Sequence, residues 1–297
     1  MRIGIDLGGT KTEAIVMDHD GAIIARERQP TPQADGYDAV LGNITALVAE
    51  LETRMNQRCS VGIGTPGSLS ASTGLLKNSN TVCLNGKPLK TDLESRLRRC
   101  IRVENDANCF ALSEALDGAG QGHDCVFGVI MGTGVGGGIV FHQQLHSGAQ
   151  HIAGEWGHNP LIPDGPPCYC GRRGCVETLI SGPGVVADYR ALGGEHSNDL
   201  PDIVDAAKNG DAIATAALNN LYLHFGRAIA SVINLLDPDI IVLGGGLSNI
   251  PGLYTAGAEQ AKKHVFNDEY RSTIVANKNG DSAGVRGAAQ LWPAATD

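Results

Sequence analysis

One histidine and three cysteines crowd into a short stretch of this chain. His158 is followed by nine residues, then Cys168, one residue, Cys170, four residues and Cys175. An imidazole and three thiolates can close a tetrahedral shell around Zn²⁺. Gly171 and Gly174 let the chain fold back so that the sulfurs face one point, and Pro163, Pro166 and Pro167 make the approach a stiff loop. The plainer alternative is a chance group of buried cysteines. A closed His-Cys₃ shell is structural in character. With Glu155 and Glu177 on either side, it predicts a rigid wall for a polar ligand.

Three glycine turns each follow an apolar run: Gly8-Gly9-Thr10, Gly132-Thr133-Gly134 and Gly244-Gly245-Gly246. Glycines let backbone N–H groups approach phosphates closely, and Thr10 and Thr133 add hydroxyls. One such turn is only a β-turn; three at strand ends point to phosphate binding. Residues 132–137 match G-x-G-x-x-G, but Ile139-Val140-Phe141 predicts a strand where a dinucleotide site needs a helix. There is no G-x-x-x-x-G-K-[ST] loop. Asn105-Asp106 stands where a strand passes into a helix. Both residue types suit an N-cap, and Asp106 also suits a general base that takes a hydroxyl proton during attack on a phosphoryl group. Asp6 lies beside the first turn, where it either caps that turn or orients Mg²⁺. Asn78, Asn80, Glu155 and Glu177 are of the type that pairs with sugar hydroxyls.

Regular elements must hold these groups. Residues 2–6, 12–17 and 22–28 read as an antiparallel meander, followed by a helix at 37–55, a strand at 61–64, a helix at 89–99 and a strand at 101–104. The pattern restarts at 125–131 with strand, glycine turn and strand, a weak internal duplication. Helices follow at 185–192, 203–208 and 212–236, then a strand at 239–243, a helix at 253–266, a strand at 273–276 and a last helix at 284–292. The expected division is a small domain of residues 1–108 plus about 284–297, and a large domain of 109–283 carrying the loop 158–175. The two would meet through 107–116 and the last helix.

Composition narrows the function classes. The 297 residues are 42% hydrophobic and 19% charged, with 40 glycines and only 4% aromatics. This suits a loop-rich globular enzyme better than a lipid pocket. The net charge of -9 argues against nonspecific nucleic-acid or anionic-membrane binding. No apolar stretch is long enough to span a bilayer, and the sequence opens directly on a strand, so a cytoplasmic protein without a signal peptide is expected. Its eight cysteines then read as thiols and metal ligands, with Cys59, Cys83, Cys100, Cys109 and Cys125 expected as small core residues.

Taken together, Asp6-Leu7-Gly8-Gly9-Thr10-Lys11, Asn105-Asp106, residues 132–138, Glu155-Trp156-Gly157-His158 and Cys168-x-Cys170-Gly171-x-x-Gly174-Cys175 resemble the ROK family of sugar kinases and repressors over essentially the whole chain. The resemblance implies an α/β, actin-like, hexokinase-type fold of two duplicated ribonuclease H-like domains, with hexose and ATP in the cleft between them. It implies Asp106 as general base and Asn80, Asn105, Asp106, Glu155, His158 and Glu177 as sugar ligands, His158 serving zinc with one ring nitrogen and sugar with the other. It places ATP on Asp6, Gly8, Gly9, Thr10, Lys11, Gly132, Thr133, Gly134, Gly244, Gly245 and Gly246, with Mg²⁺ near Asp6 and structural Zn²⁺ on His158, Cys168, Cys170 and Cys175. Such proteins often form homodimers.

Within the family the bacterial fructokinase branch is the nearer likeness. It rests on Lys77-Asn78-x-Asn80, Leu84-Asn85-Gly86, residues 155–161 and Gly284-x-Arg286-Gly287-Ala288-Ala289. N-acetylglucosamine kinases more often carry Phe where Trp156 stands, and Cys83 departs from the Trp expected in the fructokinase branch. The resulting expectation is an ATP-dependent hexose kinase, fructokinase first and N-acetylglucosamine kinase or glucokinase as the alternative. A sugar-sensing regulator is the reading from another class. The family's repressors carry a DNA-binding helix-turn-helix ahead of the first strand, whereas this sequence begins at that strand.

Overall fold

The computed structural model describes residues 1–195 and 199–294; residues 295–297 of the expected small domain lie outside it. The chain opens on an antiparallel meander of β1 (Arg2–Leu7), β2 (Lys11–Met17) and β3 (Ile23–Pro30). Helix α1 (Tyr37–Met55) then carries the chain to β4 (Ser60–Thr65). A two-residue hairpin follows, β5 (Ser68–Leu69) and β6 (Leu76–Lys77), then α2 (Leu89–Leu97), β7 (Arg102–Asn105) and α3 (Asp106–Leu116).

The second half repeats the plan with β8 (Cys125–Met131), β9 (Val135–Phe141) and β10 (Gln144–Leu145). Helices α4 (Glu177–Ile180), α5 (Gly182–Ala191), α6 (Leu200–Lys208) and α7 (Ala212–Leu236) lead to β11 (Ile240–Gly244). Helix α8 (Ala256–Lys262), β12 (Thr273–Ala276) and α9 (Ala283–Gln290) complete it.

The two large sheets share one topology. The first runs β3-β2-β1-β4-β7 and the second β10-β9-β8-β11-β12. In each, a strand pairs antiparallel with the next in sequence and parallel with the one reached through helices. The internal duplication expected from the glycine turns is therefore present in the strand order.

The first core sets Ile3, Ile5, Val61 and Ile63 of the sheet against Val40, Ile44 and Leu47 of α1. The second gathers Phe127, Val129, Ile241 and Leu243 against Leu221, Phe225 and Ile229 of α7. Helix α3 packs on β8, β9 and α9, while α9 lies on β1 and β4. These contacts demand glycine. A Cβ on Gly287 would lie 1.7 Å from the Cys109 carbonyl oxygen, and one on Gly62 1.9 Å from that of Ala288.

Several expected boundaries shift for identifiable reasons. Helix α5 begins three residues earlier than expected because the Ser181 hydroxyl accepts from Gly184 N–H, with Pro183 in the first turn. The helix expected at 253–266 contracts to α8. Pro251–Leu253 forms a separate tight turn, and Asn234 holds the far end through Phe266 N–H at 2.8 Å and the His264 carbonyl at 3.2 Å. Of the scattered cysteines, Cys59 and Cys109 are buried, Cys83 and Cys125 half-buried, and Cys100 is exposed, against the expectation of a core position. Among the described residues no helix is long and apolar enough to cross a membrane.

Candidate active site

Strand ends converge on one cleft of about 740 Å³, where Pro66 and Gly67 after β4 and Asn105-Asp106 at the β7–α3 junction face the β8–β9 turn, Glu155 and His158. Asn105 is the N-cap of α3: its side-chain oxygen accepts from Ala107 N–H at 2.9 Å and its amide donates to the Gly67 carbonyl at 3.0 Å. Asp106 is the first helical residue and also accepts from Ala107 N–H, at 2.8 Å. Its carboxyl is raised above the ordinary carboxylate range by burial, which outweighs those backbone bonds. Asp6 sits near it. Burial first, and the charge of Asp106 second, lift the Asp6 carboxyl to about 6.

His158, Cys168, Cys170 and Cys175 present ligand atoms all within 4.8 Å of one another. Cys170 Sγ lies 3.7 Å from Cys175 Sγ, and His158 Nδ1 lies 3.5 Å from Cys168 Sγ. A tetrahedron with Zn–S bonds of about 2.3 Å has S···S edges of roughly 3.8 Å, so the donor set and its spacing fit zinc. The loop is held by backbone bonds, among them Cys168 N–H to the Arg172 carbonyl and Gly174 N–H to the Pro166 carbonyl, 2.8 Å each.

The remaining expected residues divide. Glu177 lines the cleft, but one of its oxygens accepts from Val135 N–H at 2.9 Å, so it also braces the Gly132–Gly134 turn. Asn80 borders both the cleft and an adjoining hollow of about 950 Å³ bounded by Ser70, Lys77 and Asn85. Asn85 clamps that loop, accepting from Ser79 N–H and donating to the Ser79 carbonyl at 2.8 Å each. In the first glycine turn, Gly8 N–H donates to the Lys11 carbonyl at 2.9 Å, while Gly9 faces Asn80 and Thr81. Thr10 and Lys11 are exposed.

In the third glycine turn the residues behave differently. Gly244 is packed against the Phe110 ring and Gly245 against the Met131 backbone. Only Gly246 joins Gly132 and Thr133 around a separate, largely apolar hollow of about 760 Å³. Pro183 and Val186 of α5, Leu200 and Val204 of α6, and Ile250 form its walls. Sequence reasoning missed these residues, since nothing in their spacing marks them; tertiary packing alone assembles them.

Two residues that bear on the fructokinase likeness do not line the cleft. Trp156 is buried, with its indole N–H on the Gly136 carbonyl at 3.3 Å and its ring edge-on to Phe127. It anchors the turn that presents Glu155 and His158. Cys83 packs against the first core.

With this geometry in view, the ROK family model matches residues 2–295. An N-acetyl-D-glucosamine kinase of Escherichia coli O1:K1 is 38% identical, covering 98% of this chain and 99% of that protein. A ROK hexokinase from Thermus thermophilus superposes with a TM-score of 0.88 at 30% identity, over 97% of this chain and 96% of that one. A ROK family glucokinase from Streptomyces griseus, solved with glucose and AMPPNP, gives a TM-score of 0.79 at 31% identity, over 98% of each chain.

Proposed function

The chain belongs to the ROK family and is an ATP-dependent sugar kinase; from that premise we propose that it transfers the γ-phosphoryl group of ATP to the primary hydroxyl of a hexose, with Asp106 as general base. The observation that carries this is the half-buried Asp106 carboxylate, raised by burial at the head of α3 and facing the glycine turn across the cleft. A raised carboxyl is a better proton acceptor than a free one. As the sugar oxygen bonds to the γ-phosphorus, its proton passes to Asp106; the bond to the bridging oxygen breaks and ADP leaves.

Asn80, Asn105, Glu155, His158 and Glu177 orient the sugar. Thr133 and Gly134 meet the phosphates, and the apolar hollow between α5 and α6 receives the adenine. Asp6 would hold Mg²⁺, which would neutralise charge on the phosphates when bound. His158, Cys168, Cys170 and Cys175 would hold Zn²⁺, which when bound would keep the sugar wall rigid. Residues 1–108 with 284–294, and residues 109–283, are taken as the two domains that close on the sugar and exclude water.

N-acetylglucosamine is the first candidate substrate, on the strength of the 38% identical relatives. The hollow beside Asn80, which shares Asn78, Tyr169 and Glu177 with the cleft, offers room for an acetamido group. Fructose is the second. Asn78 and Asn80, part of the stretch on which the fructokinase likeness rests, border the cleft, whereas Trp156 and Cys83 do not.

ADP release from Mg-ATP, one sugar at a time, tests both readings. N-acetylglucosamine well ahead of fructose, glucose and mannose establishes the first, and fructose ahead establishes the second. No ADP with any sugar from zinc-replete protein overturns both readings.

A further inference from the structure

Each ring nitrogen of His158 has a polar neighbour within the protein. Its Nδ1 faces Cys168 Sγ at 3.5 Å, within the metal-ligand cluster. Its Nε2 lies 3.0 Å from the hydroxyl of Tyr169, whose ring stands edge-on to the imidazole at 5.1 Å between centroids and 87°. Tyr169 is 78% exposed, yet it lines both the cleft and the adjoining hollow, next to Glu177 in each.

With Nδ1 committed to a metal, the imidazole is neutral and Nε2 carries its single N–H. With a metal on Nδ1, that N–H would donate to the tyrosine oxygen 3.0 Å away. A sugar hydroxyl that meets His158 needs the same donor, and one N–H cannot serve two acceptors at full strength. The phenol is easily moved. Its polar contact is one neutral hydrogen bond, its ring is mostly in solvent, and the backbone on either side is pinned by Cys168 and Cys170, so side-chain rotation alone releases it.

We propose that Tyr169 is a sugar-displaced latch: its hydroxyl holds the cleft-facing nitrogen of His158 in the empty enzyme and gives it up to a sugar hydroxyl, so that Tyr169 sets the sugar affinity. This deepens the kinase reading and rests on it. The latch predicts the opposite sign from a sugar contact. Removing a contact weakens binding, whereas removing a competitor strengthens it.

The test is Tyr169→Phe, assayed with the sugar that gives most ADP. The expected result is a sugar KM lowered about three- to tenfold, the worth of one neutral hydrogen bond, with kcat within about twofold and zinc content unchanged. A second readout is independent of turnover. In protein labelled with 3-fluorotyrosine, the fluorine resonance missing from the Tyr169→Phe variant should shift when sugar is added without nucleotide.

A KM that is unchanged or raised, with zinc retained, overturns the latch. Zinc loss from the variant also overturns it, by making Tyr169 a support of the metal loop. A Tyr169 resonance that saturating sugar leaves in place does the same. Wild-type protein that phosphorylates no sugar removes the kinase reading and the latch together, whereas phosphorylation by the wild type without the KM change removes the latch alone.

Discussion

The carboxylate of Asp6 stands close enough to that of Asp106 for the second to press on the first: after burial, the Asp106 charge is the largest influence lifting the Asp6 carboxyl to about 6. The unfolded chain holds such a group near 3.9. The folded state therefore binds the extra proton between about pH 4 and pH 6, and this group's contribution to stability falls as pH rises through that window. Above it the cost of a half-buried carboxylate beside a like charge remains. In magnesium-free protein, Asp6→Asn should exceed wild type in unfolding free energy by about 2 kcal/mol at pH 7.5. That advantage should shrink towards zero at pH 4.5. Denaturant titrations at the two pH values check it, and a difference that does not vary with pH would exclude the assignment to Asp6.

Asp106→Asn keeps the shape at the head of α3 and the side-chain oxygen that accepts from Ala107 N–H, but it removes the proton acceptor. The expected outcome is a kcat lower by about 10²–10⁴, with sugar affinity within a few-fold of wild type. Turnover with the preferred sugar and direct binding by calorimetry separate the two effects. Near-normal kcat would take the base role away from Asp106.

In the loop that carries the three thiols, Leu161 packs on the second core while the cysteines converge on one point, so the order around them should depend on the metal. Purified protein should contain about one zinc per chain by elemental analysis. Cys170→Ser should lose that zinc, drop the Tm by roughly 10 °C and raise the sugar KM at least tenfold, since the same loop positions Glu155 and His158. Metal-free wild-type protein with full activity and unchanged Tm would refute this.

The parts of the site legible from sequence are those whose chemistry is local. The four candidate metal-ligating residues fall between His158 and Cys175, so their spacing alone limits what they can surround. Asn105 reads as a helix cap because its side-chain oxygen can accept from the first turn's N–H groups, and it caps α3. What stayed hidden is assembled over distance. The apolar hollow draws on α5, α6 and Ile250, whose side chains look like any buried helix face. The hairpin of β5 and β6 is two residues long on each side, too short for alternation to register, and rests on Gly67 at φ +85°. The third glycine turn admits two readings. Gly244 and Gly245 are glycine because Phe110 and the Met131 backbone leave no room for a side chain, a packing demand that looks the same in sequence as a phosphate cradle.

That ambiguity of glycine supports a paired prediction. In α9, Gly287 would place a Cβ 1.7 Å from the carbonyl oxygen of Cys109, a backbone atom that no rotamer change can move. Gly287→Ala must push α9 off α3, and α3 carries Asp106 at its first turn. The expected cost is about 2–4 kcal/mol of stability, with lower kcat in the fraction that remains folded. Gly42 lies inside α1, where a Cβ would meet nothing within 4 Å. Gly42→Ala should stabilise by about 0.5–1 kcal/mol, because alanine loses less backbone freedom on entering a helix, and should leave kcat unchanged. Thermal unfolding and ADP release on both variants check the pair. Equal effects would mean that the α3–α9 contact is looser than the close approach at Gly287 implies, and that the head of α3 does not depend on it.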